Sequence, residues 1–210
     1  EMEILVTGGA GYLGSVLVTK LLENNHNVTV LDNFFFDQFS LSSVCKFDNF
    51  NLIIGDTRDK NLIKSIIAKF DCIIPLAAIV GAPLSEKMPK LCKEVNEDSI
   101  KMICNLMSKD QLMIMPVTNS GYGSGKPEKI YTEESPLNPI STYGITKVNA
   151  EKIALERENC ITFRLATVFG MSFRMRIDLL VNNFVYLALV EKKLSVFEGH
   201  FKRNYIHIQD

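Results

Sequence analysis

Six short, nearly unbroken apolar runs alternate with stretches of helical periodicity along this chain, and that alternation narrows the fold more than any other feature. The runs are EILVTGG, NVTVLDN, NLIIGD, DCIIPLAA, LMIMPVT and CITFRLATVFG. A strand with one wet face alternates apolar and polar residues. A strand that is apolar throughout has to be covered on both faces, as in a parallel sheet held between crossover helices. Helices are expected at 12–24, 58–69, 86–109, 142–158 and 177–193, with Asp59 and Ser141 near two of the starts as capping residues. The predicted fold class is therefore α/β, a doubly wound parallel sheet.

Composition excludes several function classes. Of the 210 residues 47% are apolar and 22% charged, with a formal net charge of -1, which describes a globular chain with no signature of disorder. Basic residues are scattered, and the nearest approach to a run, FRMR at 173–176, is too short for an electrostatic footprint on nucleic acid. No apolar stretch reaches the roughly 18 residues that a membrane span needs. The N-terminus opens into a strand pattern with no signal peptide, so a cytoplasmic protein is expected. The five cysteines, Cys45, Cys72, Cys92, Cys104 and Cys160, form no C-x-x-C pair and are expected to be buried free thiols. The three histidines, His26, His200 and His207, lack metal-ligand spacing, so no metal site is expected.

The stretch VTGGAGYLGS places Gly8, Gly11 and Gly14 in G-x-x-G-x-x-G spacing between the first strand and the first helix. Glycines there permit a tight turn and let backbone approach a pyrophosphate, which rests on the helix N-terminus. Tyr12 and Leu13 belong to the same turn. A glycine-rich turn alone is weak evidence, but the second strand ends at Asp32, 18 residues after Gly14, where a carboxylate can hydrogen-bond a ribose 2′-hydroxyl. The same charge would repel a 2′-phosphate, so NAD is expected rather than NADP, with Asn33 beside it. Asp56 and Thr57, in GDTRD, could meet the adenine edge or cap the next helix. Leu76, Ala77 and Ala78 end the fourth strand in a way that would let a cofactor lie close to the backbone, although helix packing would ask for the same alanines.

In STYGITK, Tyr143 precedes Lys147 by four residues, one helical turn, so phenol and ammonium share a face. An ordinary amphipathic helix could carry such a pair. In a substrate cleft it becomes chemistry, because a nearby cation favours the phenolate and brings a tyrosine toward the working range of a general base.

Together these residues resemble the extended short-chain dehydrogenase/reductase family, the NAD-dependent nucleotide-sugar epimerases and dehydratases. The likeness runs through TGGAGYLGS, LDN, GDTRD, LAA, VN at 95–96, TNSGYG, YGITK, FRLATVFG and RNYIHIQD, in order, over essentially the whole chain. It implies a Rossmann-type sheet, Tyr143 as the acid/base and Lys147 as the residue that lowers its pKa while holding the nicotinamide ribose. It further implies Thr118 beside the tyrosine, with Ser120 as the competitor for that role or a substrate contact, and Asn96 near the nicotinamide side of the cofactor. Arg203 matches an arginine that pairs with the substrate diphosphate; a solvated surface charge is the alternative. The implied substrate is a nucleotide-activated sugar oxidised at C4, by a 4-epimerase or a 4-dehydrogenase that releases the ketone. A non-catalytic NAD-binding protein is the reading from another class. Homodimers pairing through the helices at 86–109 and 142–158 are implied as well.

Two departures from the family pattern bear on the reaction. The 4,6-dehydratases have an Asp-Glu pair after the catalytic threonine; Asn119 and Ser120 stand there, which speaks against elimination. Thr167 occupies a position where many members use asparagine on the sugar nucleotide. Arg174 and Arg176 could face an anionic substrate or lie on the exposed side of a loop. Residues 1–170 are expected to form the NAD-binding domain, and 171–210 the start of a truncated substrate-binding domain.

Overall fold

A computed structural model describes residues 1–124 and 130–210; the central part of the long loop expected at 120–139 lies outside the described residues. Six strands form one parallel sheet in the order β3-β2-β1-β4-β5-β6, namely β1 (Glu3–Thr7), β2 (Asn27–Asp32), β3 (Phe50–Ile54), β4 (Cys72–Pro75), β5 (Leu112–Thr118) and β6 (Cys160–Leu165). Two short strands, β7 (Thr167–Phe169) and β8 (Tyr205–His207), pair in parallel as a second sheet. The helices are α1 (Tyr12–Glu23), α2 (Lys60–Ile66), α3 (Ala82–Lys87), α4 (Pro89–Lys93), α5 (Ser99–Leu106), α6 (Thr142–Ala154) and α7 (Leu180–Val190).

The apolar runs are continuous because the sheet separates two cores. In β1, Ile4 and Val6 join Val18 and Leu22 of α1, whereas Leu5 between them joins Ile63 of α2, Ile100 and Ile103 of α5, and Ala150 and Ala154 of α6. β4 repeats the division, with Cys72 and Ile74 on one side and Ile73 on the other. Helical cover thins out toward the β6 edge, where Ile161 and Phe163 remain about half exposed.

Two expected elements and one expected burial differ. The helix at 86–109 is broken into α3, α4, a π turn at Glu94–Asp98 and α5. Pro89 disfavours helical geometry at the residue before it, and Met88 sits at φ -132°, ψ 57°. The run at 160–170 divides at Ala166, so that β6 completes the main sheet and β7 leaves it to pair with β8. Of the cysteines, all free, Cys72 and Cys92 are buried but Cys45 is exposed. Capping holds as expected: the Asp59 carboxylate accepts from Asn61 and Leu62 amides at 3.0 Å, and Ser141 Oγ from the Gly144 amide at 3.0 Å.

Candidate active site

Chain order reverses between β1 and its neighbour β4, and a crevice opens beyond the C-terminal ends of strands at such a switch point. The cleft there has a volume of about 770 Å³, within the range of small-molecule and cofactor sites. Gly8, at the end of β1 with φ +73°, makes the crevice possible: a Cβ on it would stand 2.4 Å from the Ala77 amide nitrogen. A Cβ on Gly14 would stand 2.7 Å from the Gly8 carbonyl oxygen, so the loop folds tightly onto the first turn of α1. Gly9 is a packing glycine that the triplet spacing does not single out, since its Cβ would meet Val30 of β2 at 2.7 Å. The α1 N-terminus is capped by Gly11 with no side-chain hydrogen bond, which leaves its dipole end facing the cleft that Gly11 and Leu13 line.

Asp32 lines the same cleft and is buried. Its carboxylate accepts from the Ala10 amide at 3.0 Å and the Phe34 amide at 2.8 Å, fixing it against the glycine loop. Burial raises its pKa, and these hydrogen bonds oppose the rise. Asn33 donates to Asp56 at 3.3 Å. The Asp56 carboxylate is forked by Arg58, at 3.0 and 2.8 Å, which holds its pKa below the usual carboxylate range. Asp59 and not Asp56 caps α2, which settles the open choice for that function. Thr57 is buried in the cleft wall, and its hydroxyl has no hydrogen-bond partner among the described residues. An orphaned hydroxyl, an uncapped helix N-terminus and glycines with no room for a side chain fit a dinucleotide lying across the crevice.

Three expected contacts are placed differently. Asn96 does not line the cleft: its amide donates to the Ile79 carbonyl at 3.0 Å and accepts from the Ile79 amide at 2.8 Å, clamping the chain beyond β4. Being buried, it is satisfied by that backbone together with Cys92 Sγ at 3.3 Å and Thr146 Oγ1 at 3.4 Å. Arg203 is exposed ahead of β8 and outside the cleft wall. Tyr12 lines the cleft, but its hydroxyl donates to the Gly170 carbonyl at 2.6 Å and accepts from Asn182 at 3.1 Å. Ser172 Oγ donates to the Tyr12 carbonyl at 2.6 Å. The tyrosine thus bolts the segment after β7 onto the glycine loop; no local pattern marks Ser172 or Asn182 for this.

At the other end of the cleft, Thr118 closes β5 and accepts from the Ser120 amide at 3.1 Å. Its hydroxyl also acts on the Tyr143 phenol, favouring the ionised form. Ser120 and Thr167 line the cleft beside them, and so do Leu76, Ala77 and Ala78. Lys147, one turn after Tyr143 on α6, is 6% exposed, and its ammonium has no hydrogen-bond partner among the described residues. Burial brings its pKa down to about 8, opposed by the Glu151 carboxylate. The Tyr143 pKa is raised, not lowered: burial is the largest cause, opposed by the Thr118 hydrogen bond and the charge of Arg176. Lys147 is not among the groups acting on the phenol, in contrast to the tuning that the helical spacing suggests.

The structure decides how Arg174 and Arg176 face. Both line the cleft, whereas the apolar residues between and around them, Phe173, Met175 and Ile177, are exposed at 64%, 39% and 39%. The usual alternation is inverted, with cations inward and hydrocarbon outward. Arg176 pairs with Asp178, and the Arg174 guanidinium stacks over Phe36, 4.6 Å from its centroid.

A family model described as NAD dependent epimerase/dehydratase family matches residues 4–210, and the chain belongs to that family. A UDP-glucose 4-epimerase of Lactobacillus helveticus is 33% identical over 156 residues, covering 72% of this chain and 46% of that protein. The chain spans about half the length of such curated relatives, 46–48% in three of them. Among solved structures, a UDP-glucuronic acid 4-epimerase from Bacillus cereus, in complex with UDP-glucuronic acid and NAD, superposes with a TM-score of 0.84 at 26% identity, over 99% of this chain and 69% of that one. A dTDP-glucose 4,6-dehydratase from Bacillus anthracis, at 24% identity and TM-score 0.86 over 99% of this chain and 68% of that one, shares the fold. Epimerases and dehydratases both stand among the relatives, and the family's cofactor is NAD.

Proposed function

We propose that this chain carries the NAD-binding and acid/base parts of an enzyme that oxidises C4 of a nucleotide-activated sugar, with 4-epimerisation as the overall reaction. The observation that carries the reading is the triad at the inner end of the dinucleotide cleft: Thr118 and Tyr143 in one cleft wall, and one turn after the tyrosine a buried Lys147 with no hydrogen-bond partner among the described residues. NAD, when bound, supplies the two-electron oxidant. Tyr143 takes the proton of the C4 hydroxyl as that carbon is oxidised, and Thr118 hydrogen-bonds the same oxygen and holds it in line. Lys147 is placed to donate to the nicotinamide ribose. Gly11 and Leu13, at the N-terminus of α1, would hold the pyrophosphate of the cofactor, and Asp32 would hold its adenine ribose; all three line the cleft. Arg174 and Arg176 make the substrate wall cationic, as a nucleoside diphosphate sugar requires. In an epimerase the 4-ketone turns over and is reduced on its other face. A 4-dehydrogenase, which releases the ketone, is the second reading, supported by the same three residues. Asn119 and Ser120 in place of an acid pair favour either over a 4,6-dehydratase.

Two measurements test this. Denaturing the purified protein and analysing the released small molecules by mass spectrometry is expected to yield NAD or NADH; NADP would overturn the role given to Asp32. Tyr143→Phe is expected to lower turnover of UDP-sugars by about 10²- to 10⁴-fold while released NAD is unchanged. Unchanged function in that variant would instead identify a non-catalytic NAD-binding protein.

A further inference from the structure

Behind the catalytic helix face lies a buried carboxylate that the mechanism above does not use. Tyr143, Lys147 and Glu151 recur at four-residue intervals on α6, so each stands one turn above the last on one face. Lys147 is 6% exposed and Glu151 only 3%. A lysine buried to that degree without an opposing charge sheds its proton, because desolvation penalises the charged form. Yet Glu151 makes no ion pair with it. Both carboxylate oxygens accept from Arg164 Nε at 3.0 Å, and Oε1 also accepts from Thr162 Oγ1 at 3.0 Å. Arg164 is itself held in place, donating to Tyr122 Oη at 3.1 Å and to the Glu133 carbonyl at 3.0 Å.

We propose, building on the acid/base reading of Tyr143 and Lys147, that Glu151 is a positioning residue that keeps Lys147 cationic, and that Arg164 holds its carboxylate away so that the ammonium's donors stay free for a ribose. The carboxylate supplies field without supplying a hydrogen-bond acceptor. A direct Lys147–Glu151 salt bridge would hold the charge as well but would occupy the lysine. The charge of Glu151 already opposes the effect of burial on Lys147, in agreement with this division of labour. A buried ion pair is poor evidence of a gain in stability, since desolvation offsets most of its attraction. Its place one turn behind the lysine is where a functional use would put it.

The other ionisable groups near this row are few among the described residues. Arg176 and Cys92 act on Tyr143, Cys92 of α4 also on Lys147, and Cys160 of β6 feels Glu151. Glu86 of α3 accepts from the Thr142 amide, and Glu97 of the π turn from Asn149. Arg164 is the cation that contacts Glu151.

The test follows the side-chain Cε resonance of Lys147 in protein labelled with ¹³C-lysine, assigned by its disappearance in Lys147→Arg, as pH is raised from neutral to alkaline. The wild-type midpoint is expected near 8. Glu151→Gln is expected to lower it by on the order of one unit, and Glu151→Asp, which keeps the charge, to leave it near the wild-type value. Arg164→Gln, which frees the carboxylate to turn to the lysine, is expected to raise it. Opposite displacements in Glu151→Gln and Arg164→Gln cannot come from loosened packing alone. A midpoint unmoved in Glu151→Gln, or equally displaced in Glu151→Asp, would overturn the proposal; so would a downward displacement in Arg164→Gln. If Arg164→Gln does not fold, the Glu151→Gln and Glu151→Asp pair decides by itself. Because the readout needs no substrate, absence of C4 oxidation would count against the proposed reaction and leave this result standing.

Discussion

Gly8 shows how much of the site rests on single positions. Its φ of +73° is a conformation that side-chain-bearing residues seldom adopt, and an added Cβ would come within 2.4 Å of backbone that cannot rotate away. Gly8→Ala is expected to cost at least about 1–3 kcal/mol from the backbone strain alone. A melting temperature lower by about 4 °C or more, together with loss of NAD from the purified protein, would be the signature. Wild-type melting and full cofactor content would show that β1 and the segment after β4 can move apart. The glycine triplet was legible because a tight turn and a close backbone approach demand one residue type at fixed spacing. Where Asn96 and Arg203 point was not legible, because residue type and chain position leave open the direction of a side chain. Ile79 had to fold back beneath the π turn before Asn96 could spend its amide on that backbone.

At the scale of elements, the first turn of α6 carries the tyrosine, and the Ser141 cap keeps that turn wound. Ser141→Ala removes the acceptor for the Gly144 amide and is expected to cost about 1 kcal/mol. Turnover should fall further than stability alone accounts for, as Tyr143 sits two residues into the frayed turn. Ser141→Asp, which can accept the same hydrogen bond, should recover both, and its failure to do so would detach the cap from the position of the phenol. Periodicity located every helix of the main layer, but it ran straight through Pro89 and through Ala166. At Pro89 the apolar spacing continues although the backbone cannot. At Ala166 one apolar run serves two sheets, and nothing in the run itself says that Thr167–Phe169 will find Tyr205–His207 as a partner.

For the whole molecule, the hydrogen bonds of Tyr12 with Gly170, Ser172 and Asn182 make the phosphate-side loop and the arginine-bearing segment one connected wall. We further propose the pairing of two copies through α3–α5 and α6, whose surfaces leave Met88, Ile145 and Leu155 exposed at 37%, 44% and 51%. Sedimentation at micromolar concentration is expected to show a dimer, and Ile145→Asp a monomer with its helix content intact. A wild-type monomer, or a dimer indifferent to Ile145→Asp, would remove that face from consideration. The amino-acid sequence by itself determined the parallel sheet, the glycine turn and the register of Tyr143 on Lys147, since these follow from local period and from what backbone can do at glycine. Tertiary structure alone decided which polar side chains remain available to a ligand. Asp56 is taken by Arg58, Tyr12 by a carbonyl 158 residues away and Glu151 by Arg164, whereas among the described residues Thr57 and Lys147 have no hydrogen-bond partner, and Arg174 and Arg176 line the cleft. The physical reason is that a hydrogen bond is won by whichever partner the fold brings within about 3 Å, and that neighbour is seldom a neighbour in the chain.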